Sequence, residues 1–217
     1  MNGNALFPAM VSWRAPRTIA AVVTLALLAL LPVIAANFGS DYYVGFGTRV
    51  LIYALAAIGL NFILGFGGMV SLGHAMYVML GAYAVAIPAT HGIASGWTHL
   101  VIAIAATTTL SLAVGAVALR TSGIAFIMIT LAFAQMLYFG AVGLKDYGGD
   151  DGLTIAERSV ATLYDLSNPA TLYYVTLVTV LLALYLSWRA VLSPFGLVLR
   201  ATKANARRAT ALGHPVF

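Results

Sequence analysis

The chain has 217 residues, 62% of them hydrophobic and 8% charged, with a net charge of +5 and no cysteine. Soluble domains carry about 25% charged residues, so this composition excludes a chain that faces water over most of its surface. The missing thiols exclude disulfides, thiolate metal sites and redox cysteine chemistry.

The first apolar run, TIAAVVTLALLALLPVIAA, predicts a spanning helix over 18–36. It follows Arg14 and Arg17 but is longer than the apolar core of a signal peptide, and membrane-like sequence continues after it. Further spans are predicted over 43–64, 72–87, 98–119, 123–143 and 171–188. The third is short and opens on glycines. No Asp, Glu, Lys or Arg lies between Arg49 and Arg120, whereas about 20 apolar residues suffice for one crossing. Lipid requires backbone groups to be satisfied internally, and the runs lack the alternation of a barrel strand. The predicted class is an all-α, polytopic helical membrane protein with about six transmembrane helices. Residues 1–190 would form the membrane domain and residues 191–217 a basic cytoplasmic segment.

Charge sets the expected orientation. With both termini cytoplasmic, eight of the eleven basic residues fall inside: Arg14, Arg17, Arg120, Arg189, Arg200, Lys203, Arg207 and Arg208. Arg49, Lys145 and Arg158 fall outside, together with Asp41, Asp146, Asp150, Asp151, Glu157 and Asp165. The positive net charge therefore reads as topology, and nucleic-acid binding is unnecessary to explain it. Counting the short third segment as a full crossing keeps the acidic 145–165 loop away from the side of Arg14 and Arg17.

Catalytic motifs are missing. His74, His91, His99 and His214 form no HxxxH or HExxH, so no metal site is expected, and neither a Walker A loop nor a GxSxG elbow occurs. With no ionisable pair at mid-membrane depth, proton relays have little to work with. Glycine-punctuated helices and isolated neutral polar groups remain, which suit close packing and passage of a small neutral or zwitterionic solute.

Those groups are few. In GFGGMVSLGHAMYVMLGAY, Gly65, Gly67 and Gly68 permit positive φ and a tight break in the chain. Irregular backbone at this depth is tolerated where protein buries it or water lines it. Ser71 is the expected N-cap of the next helix, and such an end suits a carboxylate. His74, one turn in, offers a hydrogen bond to a neighbouring helix, a contact with a solute, or a proton. The amides of Asn61 and Gln135 must face protein or water. Thr107, Thr108, Thr109 and Ser111 can bond back to their own helix. In KDYGGDDGL, Asp150 and Asp151 read as a solvated turn, since a calcium loop needs more oxygens at alternate spacing. Near the C-terminus, Ser193 and Pro194 open a helix that Gly213 can end. Arg200, Lys203 and Arg207 share one face of it, with Val198, Thr202, Asn205 and Ala209 roughly opposite. On residues alone it reads as a basic helix lying on anionic lipid.

Three blocks resemble one family. LNFILGFGGMVSLGHAMYVMLGAYAVA is similar to the hallmark segment of branched-chain amino-acid ABC transporter permeases, in particular the LivM-type subunit. LRTSGIAFIMITLAFAQMLYFG with GGDDGL, and LSPFGLVLRATKANARRATALG, resemble later blocks in the same order. The resemblance implies a transport subunit with no catalytic centre and no cofactor of its own, ATP being bound by partners. Those partners would be a second permease subunit, cytoplasmic ATPases and an external substrate-binding protein, in a bacterial inner membrane. It places Gly65, Gly67, Gly68, Ser71 and His74, with Asn61 and Gln135 as further candidates, near the substrate path. It assigns Arg200, Lys203, Arg207, Arg208 and Gly213 to ATPase docking, and Asp150 and Asp151 to contact with the binding protein. Family members continue with further spans, so a fragment or truncated product is expected. A urea or amide permease, an ATP-independent channel and a non-transporting remnant are the alternatives.

Overall fold

A computed structural model describes residues 16–37, 41–155, 159 and 168–213. Arg14, Glu157, Arg158, Asp165 and His214, used in the sequence argument, lie outside the described residues, as do the side chains of Arg17, Asp41 and Arg207. The elements in order are α1 (Pro16–Asn37), α2 (Asp41–Asn61) running into a π-turn (Phe62–Phe66), and α3 (Ala75–Thr90). Then follow α4 (Gly96–Ala118), α5 (Ile124–Gly143), a single 3₁₀ turn (Lys145–Tyr147), α6 (Pro169–Leu192) and α7 (Pro194–Ala211). Among the described residues there is no strand. The protein is a polytopic helical membrane protein.

Among the described residues, five helices are long and apolar enough to cross a membrane: α1, α2 with its π-turn, α4, α5 and α6. The predicted third span starts later than expected, at Ala75, and has only 16 residues, a rise of about 24 Å. Its two ends nevertheless lie at opposite ends of the bundle. The segment before it packs near α7, which follows α6. Beyond its C-terminus, His91 Nε2 lies 3.0 Å from Tyr147 OH, in the loop after α5. Arg49, expected outside, instead sits eight residues past the start of α2 with its side chain exposed, about 12 Å along the helix.

Two packed groups organise the bundle. In the first, α2 lies along α6, with α1 against both. Tyr173, Leu177 and Val180 recur at helical spacing on α6 and meet Val44 and Leu51 of α2 and Ala35 of α1. Pro32 inside α1 has no N–H for the Leu28 carbonyl four residues back. The fully buried Tyr173 fills that gap, its hydroxyl donating to Leu28 O at 2.7 Å. Tyr174 donates to Ala29 O at 3.2 Å. Gly47 makes room, because a Cβ there would lie 3.0 Å from Tyr173 Cε2.

In the second group α3 pairs with α4, and α5 contacts both. Met76, Val114, Ala118 and Phe126 form its buried core. His99, buried at the start of α4, places Nδ1 2.7 Å from Ser159 Oγ.

The α6–α7 corner follows the local signals in the sequence. Ser193 Oγ accepts from Gly196 N at 3.4 Å, and Pro194 occupies the first helical turn. A side chain on Gly196 would run into the carbonyls of Ala190 and Val191. Gly213 takes φ +82° just past the helix end and donates its N–H to Thr210 O at 2.9 Å.

Candidate functional site: a glycine break beside a largely apolar cleft

The chain does not simply turn after α2. It widens into the π-turn, unwinds through Gly67–Gly73, and re-enters helix at Ala75, with His74 at the cap position. Leu72 N donates to Thr130 Oγ1 at 3.3 Å. Thr130 is six residues past the start of α5, about 9 Å along it, so the unwound segment is set into the bundle. Gly73 faces the Thr130 backbone so closely that a Cβ would collide with that carbonyl oxygen.

The glycines divide the work. Of Gly65, Gly67 and Gly68, Gly68 uses the permitted positive φ, at +71°. Gly67 sits at φ −80°, and a Cβ there would meet Ile63 O at 2.6 Å. Gly65 lies in the π-turn under the Asn61 side chain, where a Cβ would come within 2.6 Å of Asn61 Oδ1. Gly67 is therefore needed for close approach to backbone and Gly68 for conformation, whereas at Gly65 the exposed Asn61 side chain could move aside. Ser71 does not cap α3; its hydroxyl accepts from Gly73 N at 3.3 Å, inside the break. His74 holds the cap position with helical angles and no side-chain cap.

The His74 ring reaches across to α2. It hydrogen-bonds the Ala56 backbone, and a Cβ on Gly59 would lie 3.3 Å from its Nε2. Tyr77 meets the ring edge-on at 5.9 Å. His74 Nδ1 is buried, with no hydrogen-bond partner among the described residues. This nitrogen belongs to a residue lining a cleft of about 460 Å³.

Ser71, His74 and Tyr77 line the cleft on one side, and Thr107, Thr108 and Ser111 of α4 on another. Thr130 and Phe126 of α5 close it. Thr107 donates to Ala103 O at 2.6 Å and Ser111 to Thr108 O at 2.9 Å. Their protons are thus spent within α4, while their oxygens keep acceptor capacity. Among the described residues, no charged side chain lines the cleft. It can hold a solute that is part apolar and part hydrogen-bonding.

α7 closes the break from the other side. Lys203 Nζ donates to Gly65 O at 2.6 Å. Arg200 is turned back on its own corner, bonding Gly196 O at 3.3 Å and Val191 O at 3.4 Å. The single basic face expected here is interrupted: Asn205 is extended, at φ −163° and ψ 101°, and kinks α7 before Arg207. Asn205 Oδ1 accepts from Arg208 N at 3.1 Å, capping the short second piece. The Arg208 side chain is exposed.

Other expected site residues lie elsewhere. Gln135 is on the exposed side of α5 and Asn61 is exposed above the π-turn, neither of them lining the cleft. Asp150 and Asp151 are exposed in a turn at the opposite end, shaped by Gly148, Gly149 and Gly152 at positive φ. Gly59, Gly73 and Thr130 went unmarked by sequence reasoning. Gly73 had a weak signal as one more glycine before a helix start; Thr130 had none, because its partner is 58 residues away.

A family model described as the permease component of branched-chain amino acid transport systems matches residues 42–217. The chain belongs to this family. The match begins at α2 and takes in the break, the cleft and α7, leaving α1 outside. The permease is a multi-pass integral membrane protein and a transport component. No curated protein and no solved structure matches it.

Proposed function

We propose that this permease is the membrane subunit of an ATP-driven importer of branched-chain amino acids, with the break and cleft on the substrate path. The observation that supports this most is the pairing of a cleft without charge with the glycine break that the family match covers. An aliphatic side chain suits Met69, Met76 and Phe126. The ammonium group suits the hydroxyl oxygens of α4, and His74 Nδ1 can meet either end according to its protonation. ATP would be hydrolysed on cytoplasmic partners docked at α7, with no cofactor held by this chain. A second permease subunit would complete the path, and an external binding protein would deliver substrate near Asp150 and Asp151. The bacterial inner membrane is the expected location.

Reconstitution with those partners tests the reading. Leucine uptake that needs ATP and is lost in His74→Ala, with membrane insertion kept, is the expected result. ATP-dependent urea uptake without leucine uptake would move the substrate to amides. Flux without ATP would make the protein a channel, and no flux with every partner present would make it a remnant.

A further inference from the structure

We propose that Lys203 is a positioning residue that ties α7 to the wall of the cleft, so that movement of α7 is felt at Ser71 and His74. The proposal builds on the transport reading above and adds a physical link between its cytoplasmic helix and its solute site.

The link begins with hydrogen-bond bookkeeping in the π-turn. The carbonyls of Phe62, Ile63 and Leu64 accept from the amides of Gly67, Met69 and Gly68, at 3.2–3.3 Å. The next carbonyl, that of Gly65, accepts from Lys203 Nζ. A residue 138 positions along the chain thus finishes the turn, as a lysine can do at a helix C-terminus. The lysine stem is equally committed. A Cβ on Gly68 would lie 2.7, 3.2 and 3.3 Å from Lys203 Cγ, Cδ and Cε, so the stem runs along the Gly68 backbone. Gly68 is also the one residue of the break with positive φ. Head group and stem therefore hold two successive parts of the same turn.

From Gly68 the chain reaches Ser71 in three residues and His74 in six. Its far end is fixed by Gly73 against the Thr130 backbone and by the Leu72–Thr130 hydrogen bond. The break is a short strap with one end on α7 and the other on α5, and its middle is cleft wall. On the α7 side, Lys203 stands at the end of the first helical piece, two residues before the Asn205 kink. Arg200, one turn earlier, is bonded to the α6 end. The anchor is thus on a stiff corner, and a strap of six residues has little slack to absorb a shift.

The absence of cysteine allows a clean test. Thr108→Cys places a label site on the α4 wall without touching the strap. In membranes holding the full transporter, thiol labelling is measured without nucleotide and with ATP and vanadate. This is done in the Thr108→Cys parent and with Lys203→Met or Lys203→Arg added. Lys203→Met keeps most of the stem and removes the donor; Lys203→Arg restores a donor. The expected result is a nucleotide-dependent change in labelling in the parent and in Lys203→Arg. In Lys203→Met that change collapses and leucine uptake falls at least about fivefold, with the ATPase still co-purifying. Labelling and uptake in Lys203→Met equal to the parent would overturn the proposal. If the parent ignores nucleotide while Lys203→Met alone alters labelling, the link stands and the ATP-driven reading falls.

Discussion

At the α1–α6 seam the Tyr173 hydroxyl meets the Leu28 carbonyl that Pro32 leaves open, whereas at the cleft His74 Nδ1 is buried with nothing opposite it. Both are polar groups inside an apolar bundle, and both sit where a helix is irregular. The first irregularity is repaired by a side chain from another helix and surrounded by Leu177, Val180 and Leu51. The second is lined in part by hydroxyls of Thr107, Ser111 and Thr130 whose protons are already used, beside a backbone segment where a methyl group at Gly73 would collide. A matched polar group holds helices together, whereas an unmatched buried one costs stability until a partner reaches it. His99 Nε2 is also buried with no partner among the described residues and does not line the cleft, so it is the unmatched ring together with the glycine break and the cleft that sets the second region apart.

Substitutions can break or sharpen that contrast. The largest effect is expected for Gly68→Leu, which needs positive φ from a branched side chain and also displaces the Lys203 stem. Uptake should vanish while immunoblots still find the chain in the membrane fraction, and normal uptake would remove the break from the transport path. Gly73→Ala comes next. Its methyl group meets the Thr130 carbonyl, and overpacking of this kind costs about 1–3 kcal/mol; leucine uptake should fall with a lowered melting point in detergent. Tyr173→Phe should cost about 1 kcal/mol of stability and leave the half-saturation concentration for leucine unchanged, since the seam does not touch the cleft. An altered half-saturation value there would dissolve the distinction between the two regions. Thr108→Ala should do the reverse in miniature, raising half-saturation about threefold, the worth of one neutral hydrogen bond, with the melting point unmoved.

Local chemistry was legible in the sequence and long-range pairing was not. Ser193, Pro194 and Gly213 announce the start and end of α7 because caps depend on neighbours a few residues away. The apolar runs locate five long helices for the same reason, as length and composition decide a crossing. The break was recognised from its glycines, but their individual roles depend on what faces them: Asn61 over Gly65, Lys203 along Gly68, Thr130 behind Gly73. Nothing within a few residues of Thr130 or Lys203 reveals those partners. Helical spacing placed Arg207 with Arg200 and Lys203, and the kink at Asn205 defeats that count, because its side chain bonds the Arg208 amide instead of continuing the helix. Ser71 was expected to cap a helix that in fact begins later, at Ala75.

The Tyr173–Leu28 bond also has a consequence in time. Its partners are 145 residues apart, and at about 5–20 residues per second a ribosome needs roughly 7–30 s to make the intervening chain. Through that interval the Leu28 carbonyl has no tyrosine to cover it. An open carbonyl in hydrocarbon is costly, so this contact becomes available to α1 only once α6 is made. The α1–α6 seam is therefore a late contact, closed by a helix that leaves the ribosome long after its partner.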